Sequence, residues 1–248
     1  MKIISLVPSI TETLIDCQVN LVGRSRFCIH PRPQVNDIAK VGGTKDINWQ
    51  NALDQSADLV ILDKEENTLQ MAESCPIDYF ALHITCIEDV APELTRLAER
   101  IESQPLMAIA KRWQQVAQNG PLPNNMITLP GVIQWWKKPD TQTRLVYLIW
   151  QNPWMAIGEN TFIQSVLDFC GLKKYRISFS DKYPQIDLGR LAKEDTVLLF
   201  STEPFPFDRY QESLIELGYS CALVDGELFS WYGIRSLKFL ESICETAE

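Results

Sequence analysis

The residues whose types could do chemistry in this chain are two histidines, seven cysteines and a set of aromatic side chains in segments that read as loops. His30 follows Cys28 with one residue between them, which is not a zinc-ligand spacing, and no second ligand pair stands nearby. His83 comes directly after the apolar run Tyr79-Phe80-Ala81-Leu82 and reads as a structural residue at a strand end. Neither a GxSxG elbow nor a GxGxxG turn is present, so serine-hydrolase and dinucleotide chemistry have no anchor. Gly42-Gly43-Thr44-Lys45 ends like a phosphate loop but lacks the preceding Gly-x4 spacing, and it reads as a tight turn at a lobe edge. A cysteine nucleophile needs a base within reach. Sequence order places none beside Cys17, Cys28, Cys75, Cys86, Cys170, Cys221 or Cys244. No catalytic residue and no metal site built from side chains is expected, and the chain is read as a binding protein, not an enzyme.

The aromatics carry more information. Trp150-Gln151-Asn152-Pro153-Trp154 follows one strand-like run, Pro204-Phe205-Pro206-Phe207 a second and Phe229-Ser230-Trp231-Tyr232 a third. In open α/β sheets, ligands bind beyond the carboxyl ends of the strands. Three such loops would therefore form one aromatic rim, while any single ring could equally pack into its own lobe.

The elements that must position these loops alternate in type. Ile3-Ile4-Ser5-Leu6-Val7 reads as a strand, and Ser9 with Glu12 reads as a capping box opening a short helix through Leu14 and Ile15. Leu21-Val22-Gly23, Ala57 to Leu62 and Tyr79 to Leu82 read as strands, with helices over Asn48–Leu53 and Glu65–Ser74. This rhythm predicts βαβ units and a mostly parallel sheet. From Ile87 to Ala117, Val90, Leu94, Leu97, Ile101, Leu106, Ile109, Trp113 and Val116 recur at helical spacing. That pattern predicts one helix of roughly 45 Å, a strut between two lobes, kinked or split at Pro105. Gln118 to Gln142 is rich in Pro, Asn and Gly and reads as an irregular connection with an insertion carrying Trp135-Trp136, whether as lid, interface or packing. Beyond it, strands over Arg144–Trp150, Thr196–Phe200 and Ser220–Val224 alternate with helices over Thr161–Phe169, Phe207–Leu217 and Ile234–Cys244. The expected architecture is α/β: two Rossmann-like lobes joined by a long backbone helix. Its parts are an N-terminal lobe over 1–86, the connecting helix over 87–117 and a C-terminal lobe over 118–248.

The bulk numbers set limits. A net charge of −9 argues against a nucleic-acid binder, which needs clustered Lys and Arg to neutralise phosphates. No apolar stretch reaches the roughly 18 to 20 residues of a membrane span. The first residues turn polar at Ser9, too soon for a secretory signal. An odd, scattered cysteine set suits a reducing compartment. A cytoplasmic location follows from these features, with a periplasmic one as the alternative if a leader precedes the sequence.

The residues also resemble a family. Ser5-Leu6-Val7-Pro8-Ser9-Ile10-Thr11-Glu12-Thr13, Val22-Gly23-Arg24, Phe27-Cys28-Ile29-His30-Pro31, Val41-Gly42-Gly43-Thr44-Lys45, Asp58-Leu59-Val60-Ile61 and Glu65-Glu66-Asn67 look like the first lobe of class III substrate-binding proteins. These are the helical-backbone receptors for cobalamin, haem and ferric siderophores that serve ABC importers. Asn152-Pro153 through Gly158, Tyr183-Pro184, Asp225-Gly226-Glu227 and Trp231-Tyr232-Gly233 are similar to the second lobe of a cobalamin-binding branch, and the resemblance spans all but about 121–142. It implies a bulky corrinoid or related metal chelate held in an inter-lobe cleft, with no intrinsic cofactor. The cleft positions it implies are Phe27, Cys28, Glu65, Trp150, Trp154, Tyr183, Phe205, Phe229, Trp231 and Tyr232. Where such proteins present a glutamate at each lobe tip to a permease, this chain has Gln50 and Gly189, with Asp187 and Glu194 near the second position but out of register. Where a cobalamin binder can place a cleft tryptophan, it has Thr44. The alternatives are an ABC-importer binding component and a cytosolic enzyme reusing the fold through Cys28, His30 and Glu65.

Overall fold

The computed structural model describes residues 1–122, 128–140 and 144–247. The chain forms two compact units, one comprising Met1–Gln118 with Trp231–Lys238 and the other Asn119–Ser230 with Phe239–Glu248.

The sheet of the first unit contains β1 (Ile3–Ser5), β2 (Leu21–Ser25), β3 (Ala39–Gly42), β4 (Leu59–Asp63) and β5 (Tyr79–Leu82), in the order β3-β2-β1-β4-β5. Every pairing is parallel. All five residues of β4 are buried, as the continuous apolar run requires of a parallel strand covered on both faces. One face is packed by Ile4, Leu6, Val41, Val60 and Leu62 against Ala52 of α2 (Trp49–Asp54) and Met71 of α3 (Leu69–Glu73). Alternation sends Ile3, Leu59 and Ile61 to the other face, where they are also buried.

Helix α1 (Pro8–Asp16) follows β1. It starts earlier than the Ser9–Glu12 capping box predicts: Pro8 is its first residue and Val7 the cap, with no side-chain bond. Proline's fixed φ and missing N–H suit that position, and Glu12 is freed for an ion pair.

The helical pattern over 87–117 folds as two helices, α4 (Ile87–Arg100) and α5 (Gln104–Asn119). The break falls at 101–103, where Glu102 has φ +54°, just ahead of Pro105 in the first turn of α5. A second proline, Pro92, lies inside α4. The apolar periodicity continues through the break because Leu97, Leu106, Ile109 and Trp113 all stay buried.

The second unit holds β6 (Val132–Lys137), β7 (Arg144–Trp150), β8 (Met155–Ala156), β9 (Thr196–Ser201) and β10 (Ser220–Val224), in the order β6-β10-β9-β7-β8. The central three strands are parallel and the two edges antiparallel. The segment expected to be irregular thus supplies an edge strand, its residues 123–127 and 141–142 lying outside the described residues. Trp135 takes the strand register opposite Ala222, while the Trp136 ring stacks 5.6 Å from Phe200 on the unit's core, so Trp136 serves as packing. Four helices complete this half of the chain: α6 (Phe162–Phe169), α7 (Gln211–Ile215), α8 (Gly226–Ser230) and α9 (Ile234–Ala247). Among the described residues, no helix is long and apolar enough to cross a membrane.

Candidate functional site

In the first unit the chain runs outward from β1 through β2 to β3, then returns to lay β4 and β5 on the other side. The topological switch point therefore lies between β1 and β4, the position at which open α/β sheets bind ligands beyond the strand ends. What stands there is polar. β4 ends at Asp63, whose side chain is 1% exposed. Its Oδ1 accepts the backbone N–H groups of Glu65 at 2.7 Å and Glu66 at 3.2 Å, while its own N–H donates to Asn67 Oδ1 at 2.8 Å. Asn67 Nδ2 then donates to the Thr44 carbonyl at 2.8 Å, and Lys45 Nζ to the Glu65 carbonyl at 3.1 Å. His83, just beyond β5, places Nε2 3.4 Å from Glu65 Oε1. The loops after β3, β4 and β5 are thereby joined by side chains at one edge of the sheet.

Burial pushes the Asp63 carboxyl above the ordinary carboxylate range, and it does the same to Glu66, where the neighbouring Asp63 charge adds to the effect. The Tyr232 hydroxyl faces Asp63 and Ser9 and is driven well above its usual range, first by burial and then by the two carboxylates. Gly233 follows because nothing larger fits: a Cβ there would lie 2.2 Å from Thr13 Oγ1 and 2.4 Å from the Ser9 carbonyl.

Three further candidates sit in this unit. Phe27 is half-exposed with the Arg26 guanidinium 5.0 Å above its ring, and Arg26 is held by a bidentate pair to Asp46. Cys28 is wholly buried, its Sγ 3.0 Å from Thr11 Oγ1 and 3.2 Å from Ser25 Oγ, and burial raises its thiol. Trp231 is 8% exposed, edge-on to His30 at 5.5 Å and covered by the Arg235 guanidinium at 5.3 Å. Cys28 lies among hydroxyls, His30 against Trp231 and Glu65 beside His83, so the three residues of the enzyme alternative each have another neighbour.

The second unit presents rings instead. Trp150 ends β7, 40% exposed and edge-on to Phe205 at 5.4 Å. Phe205 meets Phe207 at 4.7 Å and Tyr210 at 5.4 Å, and Phe207 lies parallel to Trp154 at 6.3 Å. Phe200 backs the group, 5.0 Å from Phe207 and 6.3 Å from Trp154. The loops after β7 and β9 thus form one continuous aromatic chain, rooted in the core by Phe200 and Phe207 and open at Trp150, Phe205 and Tyr210. Tyr183, 46% exposed, lies on a segment bonded to β8 through Ala156 N–H to the Pro184 carbonyl at 3.0 Å. The Gly158 N–H donates to the Lys182 carbonyl at 2.9 Å, and a Cβ at Gly158 would stand 1.9 Å from the Asp181 carbonyl, so only glycine permits this approach.

The third predicted loop does not extend that chain. Phe229 is fully buried in α8, 5.8 Å from Tyr147 and 5.4 Å from Phe239, while Trp231 and Tyr232 belong to the first unit. Of the ten candidates, Trp150, Trp154 and Phe205 come together, and Glu65 and Tyr232 both stand beside Asp63. Asp63 escaped the sequence reading, and Glu66 and Lys45 were read there as parts of motifs, not as site residues. The signal for Asp63 was a carboxylate closing an apolar strand with Asn67 four residues later. Among the described residues, no group of three or more His, Cys, Asp or Glu side chains could hold a metal ion.

No protein-family model matches the chain, and no curated protein does. Solved structures do. The periplasmic vitamin B12 binding protein BtuF of Vibrio cholerae superposes with a TM-score of 0.69 at 17% identity, over 98% of this chain and 95% of that one. The periplasmic heme binding protein HutB of Vibrio cholerae gives 0.70 at 14% identity, over 99% and 98%. This chain has the fold of the helical-backbone binding proteins. A periplasmic heme binding protein from Pseudomonas aeruginosa adds a TM-score of 0.68 at 17% identity, over 99% of this chain and 92% of that one. The cytoplasmic placement expected from the sequence finds no support among these proteins, each of which is described as periplasmic.

Proposed function

We propose that the chain is a non-catalytic binding protein for a bulky, flat metal chelate, a corrinoid before a haem or a ferric siderophore. The observation that carries this reading is the aromatic chain of the second unit, from Phe200 outward to Trp150 and Phe205. Ring faces and edges give a large planar ligand contact area at little cost in side-chain entropy, and the core residues behind them hold the geometry before the ligand arrives. A fold shared with vitamin B12 and heme binding proteins supports the ligand class. Phe27, Glu65 and Tyr183 are the further partly exposed side chains proposed to touch the ligand. Cys28, Phe229, Trp231 and Tyr232 are proposed to act from behind, as packing that fixes neighbouring loops.

The importer reading extends the same proposal. Gln50 lies in the first turn of α2 with its Nε2 donating to Asp54 Oδ1 at 2.9 Å, and Gly189 follows Asp187, whose carboxylate caps the short turn Leu188–Arg190. Asp54, bonded to Gln50, and Asp187, two residues before Gly189, are the carboxylates through which a permease contact, with the periplasmic location it implies, would run.

Titration of the intrinsic tryptophan fluorescence with cyanocobalamin, haemin and a ferric siderophore tests the reading. Saturable quenching by one of the three, lost in Trp150→Ala, is expected. Quenching by none of them, in a folded protein, would remove the chelate proposal and leave the fold.

A further inference from the structure

The second unit buries a cation. Arg176 lies beside β7, where the Leu145 N–H donates to the Tyr175 carbonyl at 2.7 Å and the Ile177 N–H to the Leu145 carbonyl at 2.9 Å. Its side chain is 8% exposed, and a guanidinium keeps its charge at any such depth, so it needs partners. Nε and one terminal nitrogen donate to the two carboxylate oxygens of Asp168 on α6, at 2.6 and 3.1 Å. The same terminal nitrogen stands 3.6 Å from Glu159 Oε1, the oxygen that also accepts the Ser178 hydroxyl. Gln164, one turn earlier on α6, donates through Nε2 to Asp168 Oδ2 at 2.6 Å and accepts the Asn160 N–H through Oε1 at 3.0 Å. One cation thus ties together the segment 159–160, helix α6 and the segment 176–178.

That tie stands at the root of the loop carrying Tyr183. From Phe179 to Pro184 the chain arches over 156–159, held by three backbone bonds: Glu159 N–H to the Phe179 carbonyl at 2.9 Å, Gly158 N–H to the Lys182 carbonyl at 2.9 Å and Ala156 N–H to the Pro184 carbonyl at 3.0 Å. Tyr183 sits between the last two of these, 46% exposed. Glu159 gives its N–H to the arch and its carboxylate to Arg176 and Ser178, so the residue that receives the arch is itself set by the guanidinium. We propose that Arg176 is a positioning residue for the ligand: through Glu159 it fixes the arch 179–184 and holds Tyr183 where it meets the chelate, an assignment that rests on the binding function proposed above. A role confined to tying α6 to β7 would need Asp168 alone, and the reach to Glu159 carries the network on to the arch. The charges give the direction of the effect. Without the guanidinium, Asp168 and Glu159 are two partly buried carboxylates with no cation between them. Glu159 then turns toward water and releases its end of the arch. An arch fixed in advance spares binding the entropy cost of ordering it, so its release should weaken affinity.

The test joins hydrogen exchange to a double-mutant cycle on the full chain, with cyanocobalamin, haemin and a ferric siderophore as probes. In Arg176→Ala the Ala156, Gly158 and Glu159 amides should lose protection while the amides of β10 keep theirs. The Kd for whichever probe the wild type binds should rise about fivefold or more, within the range of couplings inside one network. In the Tyr183→Ala background the same substitution should leave Kd unchanged, because an arch without its tyrosine has nothing left to place. Glu159→Gln keeps the side-chain shape and removes the charge, and it serves if Arg176→Ala does not fold. Its smaller rise in Kd should vanish in the Tyr183→Ala background as well. Protection or Kd unchanged in the variant that folds would overturn the proposal. So would a rise in Kd of equal size with and without Tyr183, which would leave the binding function standing. A folded wild type that binds none of the three probes would remove the binding function and this role with it.

Discussion

Both sheets offer loops beyond their parallel strand ends, yet the two units furnish those loops in opposite ways. The first closes its edge with charge and amide: Asp63, Asn67, Lys45, Glu65 and His83 bond mostly to one another and to loop backbone. The second ends its strands in rings, several of them half-open to solvent. A hydrogen-bonded polar network fixes loops and answers to pH, but gives little free surface to a ligand. A rooted aromatic chain does the reverse, offering contact area insensitive to protonation. The pH response should therefore be dominated by the first edge, and affinity by the second.

The sharpest break of that contrast is Phe200→Ala. The ring is fully buried and touches Trp136, Trp154 and Phe207, so its loss should cost about 3–5 kcal/mol in denaturant unfolding and take ligand binding with it. Arg235→Ala comes next. It removes a partly buried bidentate partner of Glu12, and a loss of about 1–3 kcal/mol without any change in the fluorescence of Trp150 is expected. Trp150→Ala and Phe205→Ala should leave unfolding within about 1 kcal/mol of wild type. They should weaken chelate binding at least tenfold, about 1.4 kcal/mol by calorimetry. Thr161→Ala deletes the cap that accepts the Gln164 N–H at 3.2 Å and should cost about 1 kcal/mol with affinity unchanged. The smallest effect belongs to Arg26→Ala, whose pair with Asp46 is exposed on both sides, and no measurable change in the melting temperature is expected.

Periodicity carried most of the fold. Leu59-Val60-Ile61-Leu62 reads as a buried parallel strand because apolar residues occupy both faces, and the strand is there. The edge strand β6 was hidden because an antiparallel edge needs only one covered face, and Pro, Asn and Gly flank it on the N-terminal side. The break before α5 was misplaced by a few residues because a proline is tolerated in the first turn, where its missing N–H costs nothing. Ser9 and Glu12 fit a capping box by spacing, but a proline at the first helical position moved the start upstream. Within the site, loop aromatics next to proline were legible because they had little regular structure to pack on. Phe229 was misread as a rim residue because the helix α8 that buries it is only five residues long and leaves no periodicity to detect. Asp63 and Tyr232 lie 169 positions apart in the sequence (232 − 63), and no local pattern announces a pair closed by the return of the chain.

The most direct test is a thermal melt of the wild type and of Trp150→Ala/Phe205→Ala against cobalamin, cobinamide, haemin and ferric siderophores. A ligand at about 100 times its Kd adds roughly 2.7 kcal/mol, which for a chain of this size raises the midpoint by about 5 °C or more. The account predicts such a rise with one chelate for the wild type and a much smaller one for the double variant. Equal rises in both proteins would contradict the aromatic rim as the source of affinity, and no rise with any chelate would contradict the proposed ligand class.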